Sequence, residues 1–133
     1  MTTKEDLESY LIRMGVEHEE LEDGLWLLKP ADGAVHVVLN YTPPVVVMRL
    51  KVMNLPDVDD TKLSAFYRRL LELNASDIVH GSYGIEESNI VISDALQLED
   101  LDFSELRSSF ESIVLAAASH MPVLAELVPV AQG

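Results

Sequence analysis

The chain has 133 residues, a length typical of one domain, and 48% of them are hydrophobic, enough to form a core. It carries 9 basic and 23 acidic residues, a net charge of −14, and no cysteine. The charge argues against nucleic acid and anionic membranes as partners, because Lys and Arg must neutralise their phosphates. The missing cysteine excludes disulfides, a thiol nucleophile and thiolate metal sites.

The first 23 residues predict one helix followed by a connection. Thr2 and Glu5 have the spacing of a capping box, in which a hydroxyl and a carboxylate satisfy the free amides of the first turn. Apolar residues then recur at intervals of three and four residues until Gly15, which ends the helix by adopting the left-handed backbone conformation. The acidic segment 17–23 is predicted to be a solvated connection. The polar start of the chain lacks the apolar stretch of a secretory signal, so we expect a cytoplasmic protein.

Three β-like runs follow, separated by turn residues at 30–33 and 42–44. They are rich in Val and Leu and predict an antiparallel meander over residues 25–29, 34–41 and 45–55.

The second half of the chain predicts two more helices around a pair of strands. Asp59 or Asp60 begins a helix that runs to residue 74, and strands follow at 78–85 and 89–98. The last helix begins at Asp102, with Glu105 at the third helical position. Pro122 is predicted to kink or end this helix near residue 121, and segment 123–130 to restart as a short helix. The order α-β-β-β-α-β-β-α predicts a single α+β domain over residues 1–133, with a mostly antiparallel sheet packed against helices.

The strand at 45–55 predicts which side of the sheet is less covered. With a period of two, Val45, Val47, Arg49, Lys51 and Met53 share one face and the intervening apolar residues share the other. A face that mixes valines with cations suits an intermittent partner, although an ordinary solvated sheet face has the same pattern.

No motif for catalysis or for a cofactor is present. The four histidines lack the spacings of metal ligands, and the acidic run at 57–60 lacks the later glycine and glutamate of a calcium loop. The glycines of segment 81–84 match neither a phosphate-binding loop nor a nucleophile elbow, and we expect them to permit a bulge or close packing. We therefore predict no catalytic residue, no cofactor, no metal and no membrane segment.

The element order and several segments resemble one family of proteins. The most specific segment is Leu-Leu-x-x-Asn at residues 70–74, followed by the hairpin segments 83–86 and 90–92, then by 98–102 and the alanines at 116–118. Together they resemble the class I type III secretion chaperones of the Tir chaperone type and the related YbjN-like proteins. This resemblance implies an α+β fold, a homodimer and no catalytic activity. Class I chaperones bind an extended segment of a client effector; for YbjN-like proteins a role in bacterial stress or motility regulation has been proposed.

The resemblance suggests two sets of site residues. The client-facing set comprises Trp26, Val45, Val47, Arg49 and Met53. The dimer interface comprises Phe66, Tyr67, Leu70, Val79 and Tyr83. Burial in the protomer core is the alternative for each residue, and we favour it for Phe66 and Leu70.

Three functions remain open at this point. The first is a chaperone-like protein-binding module acting as a homodimer on a client protein. The second is a regulatory or structural homodimer without a client. The third is a small ligand-binding protein or enzyme, which would need a cavity uniting, for example, His36 and His80 with a carboxylate. The charge distribution points to the middle of the chain for a partner, because segment 24–83 has six basic and six acidic residues.

Overall fold

A computed structural model describes residues 1–31 and 35–128 of the chain. The elements in chain order are α1 (Lys4–Met14), β1 (Glu17–Glu22), β2 (Leu25–Lys29), β3 (Val37–Thr42), β4 (Val45–Asn54), α2 (Asp60–Ser76), β5 (Ser82–Glu86), β6 (Asn89–Gln97) and α3 (Phe103–Ala125). The α+β class is confirmed, with one strand more than the sequence predicted.

The six strands form one sheet in the order β1-β2-β3-β4-β6-β5, and each neighbouring pair is antiparallel. The first four strands are a meander. The chain then leaves the sheet to form α2 and returns at the far edge as β5, and β6 fills the position between β5 and β4. Strands β1 and β5 are therefore the two edges of the sheet.

The extra strand is β1, and the prediction of a solvated connection over residues 17–23 was wrong. Its register with β2 runs from Glu17 opposite Lys29 to Glu22 opposite Leu25, with a two-residue turn between the strands. Gly24 adopts φ +78° in this turn. An edge strand pairs through its backbone on one side only, so exposed glutamates do not oppose pairing, and charge at an edge discourages pairing with other chains.

The N-terminal capping box lies one residue later than predicted. The Asp6 amide donates to the Thr3 hydroxyl at 3.1 Å, and the Thr3 amide donates to the Asp6 carboxylate at 2.9 Å. Thr2 is buried instead: its amide donates to the Leu98 carbonyl and its hydroxyl to the Leu101 carbonyl, each at 3.0 Å. These two hydrogen bonds of Thr2 therefore hold the start of the chain against the loop that precedes α3.

The other helix ends agree with the sequence except at the end of α3. Gly15 ends α1 at φ +70°, Asp59 accepts from the third residue of α2, and Asp102 does the same for α3. Helix α3 does not end near residue 121 but continues through Pro122 to Ala125, so the segment predicted to restart begins inside it. Residues 129 and 130 of that segment lie outside the described residues.

All three helices pack against one face of the sheet. Helix α3 contacts β4 and β6, α2 contacts β5, and α1 packs against α3. The core between the layers contains, among others, Leu7, Leu11, Trp26, Leu28, Leu39, Met48, Leu50, Phe66, Ile92, Leu106 and Ile113. Within the described residues no helix covers the opposite face, which we call the open face. The fold thus has two layers, with one sheet surface left for other uses.

Strand β5 begins four residues later than predicted, directly after Gly81. This glycine adopts φ +84°, and a Cβ atom there would lie 2.7 Å from the Ser93 carbonyl oxygen. The expected close packing is therefore confirmed for Gly81. Gly84 has open space where a Cβ would be, so it has no such role.

Candidate protein-binding surfaces

Two rows of paired residues form the centre of the open face. In the first row Leu27 of β2 lies opposite Val38 of β3, which lies opposite Arg49 of β4. The second row runs across β2, β3, β4 and β6 and consists of Leu25, Asn40, Val47 and Ala95, each opposite the next. The apolar members on β2, β3 and β4 are half-buried, because only their neighbours in the sheet shield them. The open face therefore presents an apolar strip about three strands wide.

Charge lies beside this strip. Arg49 is exposed and forms an ion pair with Glu86, the two side chains being 3.1 Å apart. An exposed pair of this kind contributes little to folding and exchanges readily with water or another carboxylate. Lys51, two residues along β4, is also exposed. The open face thus combines aliphatic surface with cations in a chain of net charge −14.

Three of the five residues predicted to face a client lie on the open face, namely Val45, Val47 and Arg49. Trp26 does not. It is 1% exposed and pairs with the core residue Leu39, so it belongs to the helix-covered side. The side chains on either side of Trp26 in β2 take its place on the open face, as a period of two requires.

Met53 also leaves the open face, because the regular alternation of β4 is interrupted. Lys51 pairs with Val91 but Met53 pairs with Ile90, so Val52 is an extra residue in the strand. This bulge turns Met53 toward the side of Ile90, which is fully buried, and Met53 packs against the core. A bulge shifts every later side chain by one position, and the period of two cannot reveal it.

A second surface lies on the helix side at the far edge of the sheet, between α2 and β5. It is a cavity of about 230 Å³, which we call the α2–β5 groove, lined by Tyr67, Leu70, Leu71, Asn74, Tyr83, Gly84 and Ile85. Leu71 is 67% exposed and Ile85 51%. Val79, in the loop that joins the two elements, is 82% exposed. Large apolar side chains with this exposure mark a surface suited to another protein.

The five residues predicted for a dimer interface separate into two groups. Phe66, Leu70 and Tyr83 are at most 7% exposed and belong to the protomer core, as favoured for the first two. Tyr67 is half-buried and lines the groove, and Val79 is open to solvent. Leu71 and Ile85 also lie at the groove but were not predicted to do so. The broad apolar face of α2 does not show that Leu71 remains outside the core, and the exposure of Ile85 depends on β5 being the edge strand.

A buried polar chain lies beneath the groove. The Tyr83 hydroxyl lies 2.8 Å from Nδ1 of His120, and Nε2 of His120 lies 3.6 Å from a carboxylate oxygen of Asp77. Tyr83 and His120 are 7% and 6% exposed, while the Asp77 side chain is half exposed. Burial raises the pKa of the Tyr83 hydroxyl above its ordinary value, so the phenol is neutral at physiological pH. The chain connects β5, α3 and the end of α2.

A surface cluster fastens α1 to the β1–β2 turn. The Lys4 ammonium contacts the carboxylates of Asp23 and Glu20, the latter at 3.2 Å, and both raise the pKa of Lys4. Glu20 also accepts from the Gly24 amide at 3.1 Å. The hydrogen bond from this amide and, to a smaller extent, the contact with Lys4 lower the pKa of the Glu20 carboxyl. The cluster holds the acidic edge strand against the helix layer.

Residues 1–31 and 35–128 contain no group of three or more His, Cys, Asp or Glu side chains that could hold a metal ion. Of the two histidines considered for a ligand site, His36 lines a cavity with Glu17 and Lys29, and His80 is not part of it. None of the helices in the same residues is long and apolar enough to cross a bilayer.

A helix-backed antiparallel sheet with one open face and an apolar groove at its edge defines a protein of the secretion-chaperone fold. The model of the CesT_Tir_1 family, which comprises type III secretion chaperones, matches residues 1–129, and the chain belongs to this family. No curated protein sequence matches the chain significantly.

Solved structures share the fold at low sequence identity. A chain of the ExoU–SpcU heterodimeric complex from the type III secretion system of Pseudomonas aeruginosa is 14% identical, with a TM-score of 0.70 over 87% of this chain and 95% of that one. YbjN from E. coli is 12% identical, with a TM-score of 0.65 over 89% and 90%. The Yersinia pestis secretion chaperone SycH, in complex with a fragment of YscM2, is 19% identical, with a TM-score of 0.64 over 88% and 98%.

Proposed function

We propose that this protein is a non-enzymatic, cytoplasmic chaperone-like module that binds an extended segment of a client protein as a homodimer. Family membership supports protein binding, since the similar structures include chaperones held in complexes with other proteins. The observation that carries the proposal is the open face, an apolar strip with cations beside it.

The open face suits an extended segment better than a folded domain. Its half-buried aliphatic side chains form a shallow strip along rows of paired strands. Such a surface can cover alternate apolar side chains of an extended chain, which point to one side every second residue. Arg49 and Lys51 can meet carboxylates of the same segment at the border of the strip. We therefore expect a client segment with spaced aliphatic and acidic residues.

The homodimer is proposed to form through the α2–β5 groove. Leu71 and Ile85 are exposed and line this cavity, and Val79 is exposed in the loop that joins α2 to β5. Helix α2 carries three basic and two acidic residues, a net charge of +1 in a chain of −14. Two copies would repel through most of their surface, but not through this helix. A second copy is therefore the occupant that the charge distribution favours.

Two matched substitutions test the two surfaces separately. Val47→Asp places a charge on the open face, and Val79→Asp places the same charge beside the groove. The probe consists of N-terminal segments of proteins encoded beside this gene, produced as fusions and co-purified with the chain. Mass is measured by light scattering after size exclusion, and the footprint of a bound segment by hydrogen exchange.

We expect the wild-type chain to be a dimer that retains at least one such segment, with protection centred on β2–β4. Val47→Asp should abolish retention of the client segment but leave the dimer intact, whereas Val79→Asp should give a monomer. Retention unaffected by Val47→Asp would contradict the proposed client surface. A dimer that retains none of the segments would favour the alternative, a YbjN-like regulatory or structural homodimer without a client. The similarity of the chain to the fold of YbjN supports this alternative.

A further inference from the structure

The outer edge of β5 has only two positions at which another strand could pair. Strands β5 and β6 are joined by a two-residue turn, with Glu86 opposite Asn89. In such a hairpin the two residues that close the turn form backbone hydrogen bonds with each other, and so does every second pair along the strands. Gly84 and Glu86 therefore direct their backbone groups toward β6. Tyr83 and Ile85 direct theirs to the outside.

Asn74 of α2 occupies the first of these two positions. Its side-chain oxygen accepts from the Tyr83 amide at 2.7 Å, and its side-chain nitrogen donates to the Tyr83 carbonyl at 3.5 Å. A carboxamide has one acceptor and one donor side, like the peptide group of a pairing strand. The side chain thus stands where the backbone of a seventh strand would stand.

The helix holds the Asn74 side chain in this place. Leu73, the preceding residue, is fully buried, and Leu70, one turn earlier, is 5% exposed. Asn74 therefore cannot move away without displacing the end of α2 from the core. Ile85 remains as the other outward position, and one free peptide group is too little for a ladder, since pairing needs successive positions about 7 Å apart.

We propose that Asn74 is a specificity-determining residue for self-association. Its side chain closes the β5 edge to strand addition, so that a second copy meets this edge through side chains in the α2–β5 groove. The inference rests on the proposed homodimer for its assembly readout alone. Occupation of the edge by Asn74 is measured independently, through the exchange of the Tyr83 amide.

Three variants separate the possibilities. Asn74→Ala removes both hydrogen bonds, and Asn74→Asp keeps an oxygen that accepts from the Tyr83 amide. Asn40→Ala is the matched control, because Asn40 is exposed on a central strand of the same sheet, on the open face. Exchange at Tyr83 is followed by NMR, and assembly by sedimentation velocity and thioflavin T fluorescence over a range of protein concentrations.

We expect exchange of the Tyr83 amide to accelerate at least about fivefold in Asn74→Ala, which corresponds to the loss of one hydrogen bond. Asn74→Asp and Asn40→Ala should retain the wild-type rate. Asn74→Ala should also form larger, thioflavin-positive species with rising concentration, and the other two variants should not. Unchanged exchange at Tyr83 in Asn74→Ala would overturn the proposal, and so would faster exchange without any change of assembly.

The proposal stays testable if Asn74→Ala does not fold. In that case Asn74→Leu decides, since its side chain has a similar size but removes both hydrogen bonds, and exchange of the Tyr83 amide at the wild-type rate in this variant would overturn the assignment. A wild-type monomer would contradict the proposed homodimer, whereas the exchange comparison would still decide the role of Asn74 at the edge.

Discussion

The buried contact between Tyr83 and His120 offers the sharpest test of how this fold is held together. Tyr83→Phe removes only the hydroxyl oxygen that lies 2.8 Å from Nδ1 of His120. The ring of Phe fits the same space, so the substitution isolates one hydrogen bond. It leaves Nδ1 of a histidine that is 6% exposed without its partner.

The expected cost follows from that burial. A buried polar atom left without a partner costs about 1–3 kcal/mol, more than the net value of an ordinary hydrogen bond. We take about 2 kcal/mol for Tyr83→Phe and a similar value for His120→Leu, which leaves the hydroxyl unpartnered. In the double variant no orphan remains, and the cost should be well below the sum, with a coupling of about 1–2 kcal/mol. For a chain of this length, 2 kcal/mol lowers the melting temperature by about 6–8 °C.

Trp26 provides the assay. It is the only tryptophan and is 1% exposed, so its fluorescence reports unfolding of the core. Urea titrations followed by fluorescence and by circular dichroism should coincide for the wild type and the three variants, with unchanged slopes. Single costs that add within about 0.5 kcal/mol in the double variant would refute the reasoning, because additivity means that the two groups do not act together.

The same pair predicts an effect at high pH. The pKa of Tyr83 is raised in the folded state, so this state retains a proton that the unfolded state loses above pH ~10. The stability that Tyr83 contributes is therefore complete below pH ~10 and declines as the pH rises further. The advantage of the wild type over Tyr83→Phe should shrink in that range.

Three further outcomes follow from single contacts. Gly81→Ala should cost about 2 kcal/mol or more in urea titration, since its Cβ would meet a carbonyl oxygen at 2.7 Å, whereas Gly84→Ala, with open space, should stay within about 1 kcal/mol. Val46→Asp should leave the chain unfolded by circular dichroism, because this side chain is fully buried. Glu20→Gln should lower the melting temperature more at pH 7 than at pH 3. The carboxylate of Glu20 has a lowered folded pKa, and its contribution is lost as the pH falls through that value; an equal loss at both pH values would contradict this.

The fold was predictable wherever the pattern is local. Alternation in segment 45–55 identified the buried and open sides of β4 correctly up to Lys51. Strand β1 was missed although the turn that closes it, Asp23-Gly24, is a strong hairpin signal. Four glutamates outweighed that signal, because β propensity describes half-buried surfaces, and an edge strand can expose nearly every side chain.

The candidate surfaces were less predictable, because they depend on contacts between distant residues. Met53 was misplaced by a bulge that only its register with β6 reveals. The pair of Tyr83 and His120 is separated by 37 positions, and neither spacing nor composition brings it together. Asn74 belongs to the Leu-Leu-x-x-Asn segment, but its role depends on the position of the outer edge of β5, which the sequence does not show.

The positions of the two surfaces determine what the substitutions can report. The open face lies over β2–β4, on the side opposite α1, α2 and α3, whereas the α2–β5 groove lies on the helix side at the opposite end of the strand order. Val47 and Val79 therefore share no neighbours, and their effects should add. A client segment and a second copy do not compete for the same side chains. Loss of both dimer and client retention in Val47→Asp would have to come from unfolding, which the fluorescence of Trp26 detects directly.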